Sequence, residues 1–171
     1  YNLYRYVYVY DISQTKGEDI PLEDKELNSN NIDKLYEKLI EFSPVKVIEK
    51  ELAGGLKGYY RENAQEIAIK NNLSLDDKTA VLLHELTHCL YDDFDYSKNR
   101  DLSEVFVESV AYIVAEHFGL DTSLCSFRYI IKWANGEPKT VLELGQKIQN
   151  CANSFINELE NFNMKELKQV A

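Results

Sequence analysis

The motif His84-Glu85-Leu86-Thr87-His88 constrains this chain more than any other feature of its sequence. Two histidines four positions apart lie on one face of a helix, one turn from each other, so that both imidazoles can reach one metal ion. In helices with this H-E-x-x-H pattern the histidines bind zinc, and the glutamate beside the first one acts as a general base toward water. The motif therefore predicts a helix that carries a zinc (Zn²⁺) site and a base.

The residues around the motif predict that this helix is largely buried. Most of them are apolar or small: Thr79, Ala80, Val81, Leu82, Leu83, Leu86, Cys89 and Leu90. Imidazole and carboxylate groups on a buried helix require partners, because burying an unpaired polar group is costly. A metal ion would supply those partners. The alternative is a histidine pair that is solvated or satisfied within the core, and the apolar flanks argue against it.

The length and charge of the chain limit its fold and its partners. A chain of 171 residues is long enough for a single domain, which we assign to residues 1–171. The net charge of −10 argues against a surface that binds nucleic acid by neutralising phosphates. The sequence contains no apolar run of bilayer-spanning length. The chain does not begin with Met, so we expect a piece of a longer protein.

The three cysteines predict a reducing compartment. Cys89, Cys125 and Cys151 are odd in number, lack the spacing of metal ligands and lie in apolar helical contexts. We expect them to be reduced core residues of a cytoplasmic protein.

Periodicity predicts an α+β fold, in which a small mixed sheet packs on the H-E-x-x-H helix and the C-terminal half is mostly helical. We expect strands at residues 4–10, 45–51, 56–61 and 66–70, and helices at residues 31–42, 74–91 and 103–118. Residues 92–101 are predicted to be a polar loop, with Ser103 capping the helix that follows. A capping box at residues 140–143 predicts the start of a long C-terminal helix.

The predicted helix at residues 103–118 carries two carboxylates in an otherwise apolar stripe. Because carboxylates are rarely buried unless paired, one of Glu104 and Glu108 is predicted to be the third metal ligand and the other to orient a histidine. We favour Glu104 as the ligand, and the reverse assignment stays open. A further alternative is that both acids lie at an exposed helix start and interact with the helix dipole.

Four stretches of the chain resemble, in the same order, the zincin-like metallopeptidase domain of ArdC-type antirestriction proteins. They are residues 11–17 (D-x-S-Q-T-x-G), 84–88 (the metal motif), 104–112 (an E-x-x-A-E motif with Val107 in place of Ala) and 126–133 (Y-I-x-x-W). The second helix also resembles that of the ImmA/IrrE metallopeptidases.

This resemblance implies a gluzincin-type fold and zinc-dependent hydrolysis of a protein or peptide substrate in the cytoplasm, in the service of a mobile genetic element. It implies Glu85 as the base and Tyr129 as the donor to the oxyanion, with Tyr59, Tyr60 and Tyr112 as rivals. The strand at residues 66–70 would be the edge strand that pairs with substrate backbone. An upstream single-stranded-DNA-binding domain would carry any contact with DNA. The alternative is a metal-containing protein-binding module with little or no peptidase activity.

Overall fold

The computed structural model describes residues 29–162 and shows an α+β fold in that range, as the sequence predicts. Its helices are α1 (Ser29–Phe42), α2 (Leu75–Tyr91), α3 (Tyr96–His117), α4 (Ser123–Trp133) and α5 (Pro138–Asn161), and its strands are β1 (Lys46–Lys50), β2 (Gly58–Arg61) and β3 (Glu66–Lys70). The predicted strand at residues 4–10 and the motif at residues 11–17 lie outside the described residues. No helix within residues 29–162 has the length and apolar content needed to cross a bilayer.

The three strands form one mixed sheet in the order β1-β3-β2. β3 pairs in parallel with β1 and antiparallel with β2. The prediction that residues 66–70 form the edge strand is therefore wrong, because they form the central strand. Ile67, Ala68 and Ile69 are all fully buried, so β3 is covered on both faces. The alternation of polar and apolar residues identified the strand but carried no information about its neighbours.

The helix that carries the motif lies at the centre of the core. Leu82, Leu83 and Leu86 of α2 are fully buried, and so are Phe106 of α3 and Phe155 of α5. Burying a side chain of this size contributes roughly 1.5–3 kcal/mol. The sheet, α1 and α3 pack against α2, so its polar motif is held in a rigid, apolar frame.

Two predicted helix starts differ from the observed ones. α3 begins at Tyr96, where the side chain of Asp95 accepts from the backbone N–H of Ser97, and non-helical backbone at Asn99 (φ −127°, ψ 33°) kinks it after one turn. Ser103, predicted to be the cap, is buried inside the helix. α5 begins at Pro138, a residue suited to a first helical turn, rather than at the predicted capping box.

The cysteines match their prediction only in part. All three are free thiols, and Cys89 and Cys151 are partly buried. Cys125, however, is exposed, because it lies on the side of α4 that faces a cavity described below. Its assignment to the core was therefore wrong.

Candidate metal centre

Three side chains from two helices bring their donor atoms together. The Nε2 atom of His84 lies 3.5 Å from Oε2 of Glu104, and the Nε2 atom of His88 lies 4.0 Å from the same oxygen. Donor atoms of the three residues all lie within 4.8 Å of one another, so this group can hold a metal ion. Tetrahedral zinc with bonds of about 2.0–2.2 Å separates its ligand atoms by about 3.3–3.6 Å, which the observed distances of 3.5 Å and 4.0 Å approach. The donor set and its geometry fit zinc.

The second nitrogen of each imidazole is held by another carboxylate. The Nδ1 atom of His84 lies 2.9 Å from Oε2 of Glu108, and the Nδ1 atom of His88 lies 2.8 Å from Oδ2 of Asp92. Glu108 is thus placed behind a histidine rather than among the three converging donors. Carboxylates in this position fix the tautomer and orientation of a metal-binding histidine.

Sequence reasoning missed Asp92, although it lies four residues after His88, immediately beyond the end of α2. The hydroxyl of Ser103 donates to its Oδ2 at 2.5 Å, and the N–H of Phe94 donates to its Oδ1 at 3.1 Å. Burial favours the neutral acid, but hydrogen bonds with His88 and Ser103 outweigh it and lower the pKa of Asp92. The buried Ser103 therefore supports the group that orients His88.

The carboxylates and imidazoles of this centre shift each other's pKa values. Burial opposes the charge on Glu104, yet hydrogen bonds with His84 and Tyr96 lower the pKa of Glu104 to about 2. Burial also opposes the charge on His84, but Glu104 and Glu108 raise the pKa of its imidazole to about 10. Both shifts show that the surroundings of the imidazoles favour positive charge, which a bound cation would supply.

Glu85 lies beside the converging donors, and its side chain is buried. Its side chain is 9% exposed, and burial raises the pKa of its carboxyl despite the nearby imidazoles. The backbone N–H of Tyr60 on β2 lies toward this carboxylate and favours its charged form. A carboxyl group that borders a cavity is placed to exchange protons with a molecule bound there.

A cavity of about 520 Å³ opens onto the centre. The segment leading into β2 forms one wall, α4 forms the opposite wall, and the floor is α2. Of the four tyrosines considered from the sequence, Tyr129 lines the cavity. Tyr59 contacts Lys50 and Glu66, and Tyr112 packs on Phe127. The cavity is also lined by Gly55, Lys57, Gly58, Val81, Glu85 and Trp133.

β2 presents a free edge to this cavity. The N–H of Lys70 donates to the carbonyl of Lys57 at 2.8 Å. In an antiparallel pair, hydrogen-bonded residues alternate along the strand, so the backbone groups of Gly58 and Tyr60 point away from β3. The N–H of Tyr60 lies toward Glu85, and the N–H and C=O of Gly58 lie at the cavity.

Comparison with known proteins assigns no function. The chain is 31% identical to an uncharacterized protein of Bacillus anthracis, pXO2-81, over an alignment that covers 93% of this chain and 31% of that protein. The chain thus spans about a third of the length of this curated relative. No family model matches the chain, and no solved structure matches it significantly.

Proposed function

We propose that this chain is a zinc-dependent metallopeptidase domain with a zincin-type, gluzincin-like site. One observation carries the proposal: the donors of His84, His88 and Glu104 converge beside the buried base Glu85, at the floor of a cavity. A structural zinc site would be closed by four protein ligands, whereas three ligands and a neighbouring base are the arrangement of hydrolytic zinc sites.

The side chains of the chain itself supply the proton transfers. Zinc bound here would acidify a water molecule so that it loses a proton near neutral pH. Glu85 accepts that proton as the water oxygen forms its bond to the carbonyl carbon of the substrate. Glu85 then gives the proton to the leaving amine as the C–N bond breaks. Glu108 and Asp92 hold the two imidazoles in fixed orientation throughout.

The walls of the cavity would orient the peptide. The free N–H and C=O of Gly58 can pair with an extended substrate, so β2 takes the role that the sequence analysis gave to residues 66–70. On the opposite wall, Tyr129 is 45% exposed. Its hydroxyl can donate a hydrogen bond to the oxyanion that develops on the substrate carbonyl.

The wider biological role rests on the sequence resemblance alone. We propose an ArdC-like antirestriction function for a mobile genetic element, in the cytoplasm, where the free thiols Cys89, Cys125 and Cys151 would stay reduced. Contact with DNA would belong to an upstream single-stranded-DNA-binding domain.

Replacement of the base tests this proposal. The Glu85→Gln variant is expected to bind one zinc per chain, to keep the unfolding midpoint of the native chain, and to lose hydrolysis of a peptide library. Glu158→Gln is the matched control, because Glu158 on α5 accepts a hydrogen bond from Tyr91 outside the cavity. Hydrolysis that persists in Glu85→Gln would refute the mechanism. Zinc binding without hydrolysis in the native chain would favour the protein-binding module instead.

A further inference from the structure

The two oxygens of Glu104 have different surroundings. Oε2 faces the Nε2 atoms of His84 and His88. Oε1 accepts a hydrogen bond of 2.5 Å from the hydroxyl of Tyr96. This length is typical of a hydroxyl that donates to an ionised carboxylate, which is among the stronger hydrogen bonds in proteins. One oxygen of Glu104 is therefore directed to the metal position and the other is held away from it.

The local backbone explains why Tyr96 reaches Glu104. The first turn of α3 begins at Tyr96, is capped by Asp95 and is separated from the rest of the helix by the kink at Asn99. This kinked turn places the ring of Tyr96 edge-on to the ring of His88, with centroids 5.9 Å apart. Tyr96 is not among the candidate site residues of the sequence, because the polar composition of residues 92–101 predicts a loop.

A second contact fixes the position of the tyrosine. The guanidinium carbon of Arg100 lies 5.7 Å from the ring centroid of Tyr96 and 5.1 Å from that of Trp133. Both distances are within the range of cation–π attraction. Arg100 thus connects the kinked turn to the end of α4, where Trp133 lines the cavity.

We propose that Tyr96 is a positioning residue that restricts Glu104 to metal coordination through a single oxygen. This inference rests on the proposed function of the same centre. Two imidazole nitrogens and one carboxylate oxygen make three protein donor atoms, which leaves a fourth tetrahedral position for water. Coordination through both carboxylate oxygens would add a fourth protein donor atom, so that bound water would become a fifth ligand at a crowded centre. Tyr96 opposes this by occupying Oε1, so it keeps the centre open to water and substrate.

The visible spectrum of the Co²⁺-loaded chain tests the inference, because its intensity reports coordination number independently of peptidase activity. The native chain is expected to show the intense absorption of four-coordinate Co²⁺. In Tyr96→Phe the freed oxygen is expected to bind the metal, raising the coordination number to five with a several-fold loss of absorption. The matched control is Tyr91→Phe, which removes a hydroxyl that donates to Glu158 at 2.8 Å outside the cavity. This control is expected to give the native spectrum.

The outcomes separate this inference from the proposed function. A chain that binds neither Co²⁺ nor Zn²⁺ would refute the metallopeptidase proposal itself. Metal binding with identical spectra in the native chain and Tyr96→Phe would refute the role of Tyr96 alone. X-ray absorption of the zinc-loaded native chain tests the same point without a variant: four nitrogen and oxygen ligands are expected, and five would overturn the inference.

Discussion

The close approach of β2 to α2 depends on the absence of a side chain at Gly58. A Cβ atom built there would lie 2.4 Å from Cγ1 of Val81 and 3.0 Å from the backbone oxygen of Ala68. Carbon atoms in good contact are about 3.5–4.0 Å apart, so the overlap with Val81 exceeds 1 Å. Either β2 or the side chain of Val81 must move when this position carries a methyl group. Movement of β2 would also displace the N–H of Tyr60 that lies toward Glu85.

The cost of Gly58→Ala follows from these distances. Inserting a methyl group into a packed site typically costs about 1–3 kcal/mol. Alanine also restricts the unfolded chain more than glycine does, which stabilises the fold by roughly 0.4–1 kcal/mol where the backbone tolerates alanine. We expect a net loss of about 1–2 kcal/mol in the free energy of unfolding. For a domain of this size each kcal/mol lowers the melting temperature by about 2–4 °C.

Urea unfolding of four variants checks this reasoning. Gly55→Ala is the matched control, because no atom lies within 4 Å of its added Cβ, and we expect its unfolding free energy to stay within about 0.5 kcal/mol of native. Val81→Ala removes the clashing Cγ1 atom. Gly58→Ala should therefore cost about 1 kcal/mol less in the Val81→Ala background than in the native chain. Equal costs for Gly58→Ala in both backgrounds, or equal effects at Gly58 and Gly55, would refute the close-approach argument.

Two further predictions concern carboxylates. Asp92→Asn should lower the affinity for zinc about 10–100-fold, because the amide lacks the negative charge that faces His88 and its NH₂ group cannot accept from Phe94. Competition with a chromogenic chelator measures the zinc affinity. Asp93→Asn is the control and should leave the affinity unchanged, because the exposed carboxylate of Asp93 pairs with Lys147. The hydrogen bond from Lys78 lowers the pKa of Glu49 below 4.5, so this interaction stabilises the fold above that pH and is lost as pH falls through the folded-state pKa. The difference in unfolding free energy between native and Glu49→Gln should narrow from about pH 6 to about pH 3; a constant difference would contradict it.

The sequence predicts an element well when the residues of that element determine its own boundaries. The side chain of Ser74 accepts from the N–H of Asp77 at 3.1 Å, and the apolar residues beyond it continue α2 to Tyr91. By contrast, the first turn of α3, before the kink at Asn99, has the polar composition of a loop. The sequence therefore does not predict that α3 begins there. Pairing between strands is decided by tertiary packing, so the central position of β3 could not be derived from its own alternation.

The positions of the carboxylates around the imidazoles follow from the sequence once α2 and α3 are known to run in opposite directions. α2 and α3 are joined by residues 92–95 alone, so the two helices turn back on each other, and residues nearest the connection meet first. Glu104 is nearer the connection than Glu108, and His88 is nearer than His84. Glu104 therefore reaches both Nε2 atoms, while Glu108, one turn farther along, meets the Nδ1 side of His84. The spacing alone favours Glu104 but leaves the reverse assignment open, and the short connection between the helices distinguishes the two glutamates.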